Sequence, residues 1–64
     1  MKAYGYEVKG NEKVLNDIKE AKRRGAVINW NLFEFGDIYY TGNGEEFEVV
    51  TDDHANKIIV LEEV

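Results

Sequence analysis

The stretch from Asp37 to Val50, DIYYTGNGEEFEVV, constrains the fold of this chain more than any other part of the sequence. Its two ends, 38–41 and 47–50, are rich in the β-branched and aromatic residues that favour strands. Between them lies Gly42-Asn43-Gly44, and an Asn-Gly pair supplies the two positive-φ positions that a type I′ turn requires. The sequence therefore predicts a β-hairpin with a two-residue turn at Asn43-Gly44, or a close variant that uses Gly42, as the nucleus of an antiparallel sheet.

Three other segments have the composition of β-strands. Apolar and other residues alternate over residues 1–9, which predicts a first strand with a weak point at Gly5. Residues 26–35, AVINWNLFEF, predict a second strand whose apolar face changes near Leu32-Phe33, as at a bulge or a twist. The last strand contains the unbroken apolar run Ile58–Leu61, which indicates burial on both faces, either inside the sheet or under another chain.

A single helix is predicted between Asn11 and Gly25. Asn11 is a favourable N-cap, and Gly25 suits the left-handed residue that ends many helices. The segment is amphipathic because its apolar residues recur at helical spacing. These residues are Val14, Leu15, Ile18 and Ala21. Their narrow apolar stripe can cover one face of a sheet and no more.

Together these elements predict an α+β fold in which a single helix packs on a curved, mostly antiparallel, five-stranded sheet. The expected order is strand, helix and then four strands, within one small domain that spans residues 1–64. The chain contains no cysteine, so no disulfide stabilises it, and a domain of this size is near the lower limit for folding alone. A partner, a homodimer interface or unusually regular local structure is expected to supply the remaining stability.

Charge is distributed unevenly along the chain, whose net charge is −5. Residues 1–31 contain seven Lys or Arg against four Asp or Glu, whereas residues 32–64 contain Lys57 alone against nine acids. Such asymmetry favours contact with a charged partner, although a soluble acidic surface explains it equally well.

The acids around the hairpin are the candidate contact residues for a basic partner. Glu46 and Glu48 alternate with Phe47 and Val49, so they share one face of the predicted strand, and a polar loop over 51–56 follows it. The predicted partner-binding residues are Glu45, Glu46, Glu48, Asp52 and Asp53, with an aromatic surface around Trp30 and Tyr39 as the fallback. We expect a non-enzymatic module that engages a basic protein surface, as inhibitors or nucleic-acid mimics carried by mobile elements do.

The sequence offers little for catalysis. It contains no serine and no cysteine, so the usual nucleophiles of a catalytic triad are missing, and we expect no enzymatic activity. The only histidine, His54, lies in TDDHAN, whose donors could form a small ligand- or metal-binding loop, although their order does not match an EF-hand. Gly42-Asn43-Gly44 lacks the third glycine and the helix of a dinucleotide-binding motif. We therefore predict no metal and no cofactor, and keep the His54 loop as an alternative site.

No apolar run approaches the roughly 18 residues of a membrane span, and no signal-peptide pattern opens the chain. We therefore expect a soluble cytoplasmic protein. The basic run Lys22-Arg23-Arg24 lies at the helix C-terminus, the wrong end of the dipole for an anion, so direct nucleic-acid binding is not predicted. The apolar residues exceed what one helix can cover, which predicts a homodimer. A structural homo-oligomer or a designed scaffold without a ligand is the remaining alternative.

Overall fold

A computed structural model describes residues 1–64 as one helix packed on a curved five-stranded sheet. The elements are β1 (Lys2–Ala3), β2 (Tyr6–Lys9), α1 (Glu12–Arg23), a 3₁₀ turn (Trp30–Leu32), β3 (Ile38–Tyr40), β4 (Glu46–Asp53) and β5 (Ile58–Glu63). The strand order across the sheet is β1-β2-β5-β4-β3, with β2 and β5 parallel and the other neighbours antiparallel. The predicted α+β class, the single helix and the five mostly antiparallel strands are confirmed.

Helix α1 begins and ends as its capping residues predict. The side chain of Asn11 accepts a hydrogen bond from the backbone N–H of Val14 at 3.2 Å, and Gly25 follows the helix with a φ of 80°. Val14, Ile18 and Ala21 are buried and form the stripe that packs on the sheet. The helix has 12 residues and carries charge on its outer side, so it is too short and too polar to cross a membrane.

The first turn of α1 crosses β5 at very short range, which is possible because residue 10 is glycine. A Cβ atom at Gly10 would lie 2.5 Å from Cγ1 of Val14 and 3.3 Å from the carbonyl oxygen of Leu61. Any larger residue would push the start of the helix away from the sheet.

Residues 1–9 form two strands rather than the single strand expected from their alternation. Strands β1 and β2 are joined by Tyr4-Gly5, where both residues have positive φ, 54° and 82°. Two consecutive positive φ angles define a type I′ turn, so this turn type occurs here and not at the predicted position in the sequence. The Tyr4 hydroxyl donates a hydrogen bond to the carbonyl oxygen of Ala26 at 2.6 Å, which ties the turn to the segment after α1.

The predicted hairpin is present as β3 and β4, but its turn has three residues instead of two. The N–H of Thr41 donates to the carbonyl oxygen of Glu45, and the N–H of Gly44 donates to the carbonyl oxygen of Thr41. Gly44 has a φ of 85°, whereas Asn43 is not in the positive-φ region. The connection is therefore a type I turn followed by a left-handed glycine. The predicted type I′ turn at Asn43-Gly44 is wrong, and the connection includes Gly42, as the alternative prediction had it.

Residues 26–35 do not form the predicted second strand. Trp30 and Phe33 are three residues apart, the spacing that a 3₁₀ turn places on one side, and the turn packs both rings against the sheet. The ring of Trp30 lies 5.1 Å from that of Phe33 and 5.7 Å from that of Tyr39. Leu32 and Phe35 instead face solvent. The segment thus covers the part of the sheet that α1 does not reach.

Strand β4 is longer than predicted and contains a bulge. Val49 pairs with Leu61 and Thr51 with Val60, so Val50 is an extra residue that bends the strand. Because β4 continues to Asp53, the polar connection shrinks to residues 54–57. Strand β5 is the central strand, as the apolar run predicted, but the expected burial on both faces is not seen within the chain, because Ile59 and Leu61 are buried and Ile58 and Val60 are only half-buried.

Candidate binding surface

One face of the sheet carries α1 and residues 26–37, and the other face, called here the open face, is covered by nothing. The strand register places Ile38, Ile58 and Val60 on the open face, where all three are only half-buried, as is Val50 at the bulge. We call these four residues the apolar strip. The same face carries three glutamates at the end nearest the β3–β4 turn, Glu46, Glu48 and Glu62, which we name the acidic patch.

The acidic patch concentrates negative charge at one end of the open face, which also carries Lys9 beside Val60. Glu48 lies directly opposite Glu62 across β4 and β5, and Glu46 is two residues along β4 on the same face. None of the three forms an ion pair. Like charges directly opposite on neighbouring strands destabilise a sheet by about 0.2–1 kcal/mol, so this arrangement has a cost in the isolated chain.

Glu45 was predicted to act with the patch, but the structure places it on the other side of the sheet. Its carboxylate lies 3.6 Å from the Lys13 ammonium of α1 and accepts a hydrogen bond from the Thr41 hydroxyl. Lys13 also lies 3.2 Å from Glu63, and hydrogen bonding to Glu63 is the main reason that the pKa of Lys13 is raised. Lys13 is thus engaged by Glu45 and Glu63 on the helix side of the sheet.

Asp52 and Asp53 also differ from expectation, because they lie in β4 and not in a loop. The bulge at Val50 shifts the alternation, so Asp52 faces the helix side and accepts a hydrogen bond from the N–H of Phe35 at 3.1 Å. Asp53 remains on the open side but accepts two hydrogen bonds from Asn56. These hydrogen bonds lower the pKa of Asp53, so its carboxylate stabilises the turn between β4 and β5.

The predicted aromatic surface around Trp30 and Tyr39 must be corrected, because both rings are buried, with 1% and 8% of their surface exposed. The Tyr39 hydroxyl donates a hydrogen bond to Asp17 of α1 at 2.8 Å. Burial, and secondly this hydrogen bond, raises the pKa of Tyr39 far above its ordinary value. The two residues therefore belong to the core that joins the helix to the hairpin.

His54 contributes to structure through both of its ring nitrogens. Nε2 is 2.8 Å from the carbonyl oxygen of Phe33, and since a carbonyl only accepts, Nε2 carries a proton. Nδ1 is 2.7 Å from the Tyr6 hydroxyl, which can donate to it. His54 thus fastens the segment after α1 to β2. No group of three or more His, Cys, Asp or Glu side chains is arranged to hold a metal ion.

A polar cleft of about 480 Å³ lies between α1 and the β3–β4 turn. No hydrophobic side chain lines it. The lining residues are Lys13, Asn16, Asp17, Glu20, Arg24, Gly42, Asn43 and Glu45. Asp17 closes its floor by accepting hydrogen bonds from Tyr39 and from the N–H of Gly42 at 2.9 Å. Ligand sites are mostly apolar with a few polar groups, and this cleft has the opposite character.

Of the seven predicted contact residues, the structure brings together Glu46 and Glu48 on an exposed surface. It adds Glu62, which the sequence analysis missed. The signal was available, because Glu62 alternates with Ile58 and Val60 and so faces the same way as they do. No protein-family model matches this chain, and searches of curated proteins and of solved structures return no match.

Proposed function

We propose that this chain is a non-enzymatic binding module that engages a basic protein surface through the acidic patch. The observation that carries the proposal is the unpaired, directly opposed pair Glu48 and Glu62, with Glu46 beside them. A basic partner would remove their mutual repulsion and would be attracted at long range, more strongly at low salt.

The apolar strip beside the acidic patch supports a protein as the partner. Half-buried Ile38, Val50, Ile58 and Val60 offer aliphatic area next to the carboxylates, as in an interface that combines an apolar centre with a charged rim. Nucleic-acid-binding sites on proteins are basic, so an inhibitor or a nucleic-acid mimic could use such a face to occupy one. We place this activity in the cytoplasm.

A non-catalytic role agrees with what the rest of the chain does. Serine and cysteine are lacking, and the only histidine holds two structural hydrogen bonds. The His54 loop therefore has no free imidazole nitrogen to offer a ligand or a metal ion.

The test compares charge reversal on the patch with the same charge change elsewhere. Glu46→Lys combined with Glu48→Lys should abolish capture of a basic protein from cell extract by the immobilised chain. Glu12 and Glu34 are exposed, lie outside the patch and form no ion pair, so Glu12→Lys combined with Glu34→Lys makes the same change in net charge, is the control and should leave capture unchanged. Equal capture by all variants at low and at high salt would contradict the proposal.

A homodimer through the open face is the second candidate, favoured by the exposed side chains of Tyr40, which is next to Ile38 on this face, and of Val64, which is next to Glu46. The open face carries less apolar area than the sequence suggested, because Tyr39 and Phe33 pack on the helix side. Sedimentation at tens of micromolar distinguishes the candidates: a homodimer predicts a mass that rises with concentration above 7.4 kDa.

A further inference from the structure

We propose that the partner of the acidic patch binds as an extended basic segment that adds a sixth strand beside β3. The inference rests on the proposed function and specifies the form of the partner. It starts from the sheet edge, since β3 is the last strand on its side and no other segment pairs with it.

The backbone of β3 presents unpaired hydrogen-bonding groups at this edge. In an antiparallel pair, hydrogen-bonded and non-hydrogen-bonded residue pairs alternate. Thr41 bonds Glu45 and Asp37 bonds Val49, so Ile38 and Tyr40 occupy the non-hydrogen-bonded positions in register with Glu48 and Glu46. Their N–H and C=O groups therefore point away from β4, and no turn or side chain of the protein bonds them. Such an edge is a template for an added strand.

The opposite edge is less suitable for this purpose. Strand β1 has two residues, carries Lys2 and turns back at once through Tyr4-Gly5. Strand β3 has neither a lysine nor a proline to block pairing. The chain around β3 also holds three of the most exposed large apolar side chains, Leu32, Phe35 and Tyr40.

Charge selects a basic segment over a second copy of the chain. A strand added beside β3 would lie roughly 10 Å from β4, and half of its side chains would be on the same face as Glu46 and Glu48. Lysine or arginine side chains on that strand are long enough to reach the glutamates. The exposed Tyr40 ring lies between them and offers its face to the same cations. Pairing of two β3 edges would instead bring two acidic patches together at a net charge of −5 per chain.

The probe is a synthetic seven-residue peptide in which lysine alternates with threonine, titrated into the isotope-labelled protein. Binding should slow hydrogen exchange of the Ile38 and Tyr40 amides at least tenfold and should weaken with salt. Two singly modified peptides test the geometry without altering the protein. A peptide that carries one N-methylated amide on the edge facing β3 should not bind, whereas a peptide with one N-methylated amide on its other edge should bind as the unmodified peptide does.

Two variants of the same residue separate the backbone from the side chain. Tyr40→Pro and Tyr40→Ala both remove the phenol ring, and only proline removes the outward N–H, a change that edge strands tolerate. Tyr40→Pro should therefore bind the peptide at least tenfold more weakly than Tyr40→Ala does, with buried Trp30 fluorescence confirming that both are folded.

The outcomes distinguish this inference from the proposed function. Peptide binding that requires Glu46 and Glu48, with no protection of β3 amides and no difference between proline and alanine, overturns strand addition and leaves the patch as a face-on site. Binding that ignores both glutamates overturns the proposed function. Protection that grows with protein concentration in the absence of peptide assigns the edge to a second copy. No binding at millimolar peptide also overturns strand addition.

Discussion

Asp17 joins α1 to the β3–β4 hairpin, and its removal should weaken the whole fold. Its carboxylate accepts one hydrogen bond from the buried Tyr39 hydroxyl at 2.8 Å and one from the N–H of Gly42 at 2.9 Å. A hydrogen bond to a charged group contributes about 1.5–3 kcal/mol when buried, and less where water can replace it, as at exposed Gly42. We therefore expect Asp17→Ala to lower the free energy of unfolding by about 2–3 kcal/mol. In a domain of this size that corresponds to a fall in Tm of about 10–20 °C.

Urea denaturation followed by the fluorescence of Trp30 measures this loss, because Trp30 is the single, buried tryptophan. Asn16→Ala is the matched control, since Asn16 neighbours Asp17 in α1, lines the same cleft and makes no hydrogen bond through its side chain. In a double-mutant cycle with Tyr39→Phe, the coupling free energy should be about 1–2 kcal/mol. Additive effects, or a loss in Asp17→Ala no larger than in Asn16→Ala, would refute the argument.

Three further predictions concern the turns and the core. Gly10→Ala should destabilise the fold by about 1–3 kcal/mol in urea denaturation through the clash with Val14 and Leu61, whereas Gly42→Ala should be tolerated because its Cβ meets only an oxygen at 3.5 Å. Gly44→Val should cost more than about 1 kcal/mol because a β-branched residue resists the φ of 85°, and an unchanged denaturation midpoint would contradict it. The pKa of Tyr39 is raised in the folded state, so the stability that its neutral hydroxyl contributes is complete below pH ~10 and is lost as the pH rises above that value. The free energy of unfolding should therefore fall above pH ~10, and in Tyr39→Phe it should fall less steeply with pH.

The helix and the main hairpin could be predicted because their signals are local. Asn11, Gly25 and the apolar stripe fix α1 within one residue of its observed bounds, since capping and amphipathicity are both encoded inside the segment. The hairpin could be placed for the same reason. Its turn type could not, because Gly44 suits both a two-residue and a three-residue connection and the register with β4 decides between them.

The elements that were missed depend on contacts between distant parts of the chain. Tyrosine has no preference for positive φ, and the turn at Tyr4-Gly5 forms where the chain also gains the hydrogen bond from Tyr4 to Ala26 and the parallel pairing of β2 with β5. Residues 26–35 have the composition of a strand but find no strand partner. Burial of Trp30 against Phe33 and Tyr39 outweighs the local strand propensity of the segment.

The candidate site was predicted correctly where successive side chains of β4 alternate regularly between the two faces of the sheet. Glu46 and Glu48 precede the bulge and lie on the expected face. Beyond Val50 the period of two is interrupted, so Asp52 turns to the helix side, which no rule applied to the sequence alone indicates. The position of Glu45 depends in turn on Lys13, which is 32 residues away in the chain and meets it only after the fold has formed.

The charge of the acidic patch serves either binding or only solubility. A variant that moves one carboxylate away from the patch while keeping the net charge distinguishes the two roles. A domain of this length has a total stability of roughly 3–10 kcal/mol, so an opposed pair that costs about 0.2–1 kcal/mol is a noticeable burden. If solubility were its purpose, the charge would serve as well at any exposed site. The double variant Glu48→Gln with Asn31→Glu moves one charge from the patch to the exposed 3₁₀ turn and keeps the net charge at −5. We expect it to be as soluble as the parent, slightly more stable towards urea, and markedly weaker in capturing a basic partner. Unchanged capture would show that total charge, and not its position on the open face, is what the partner recognises.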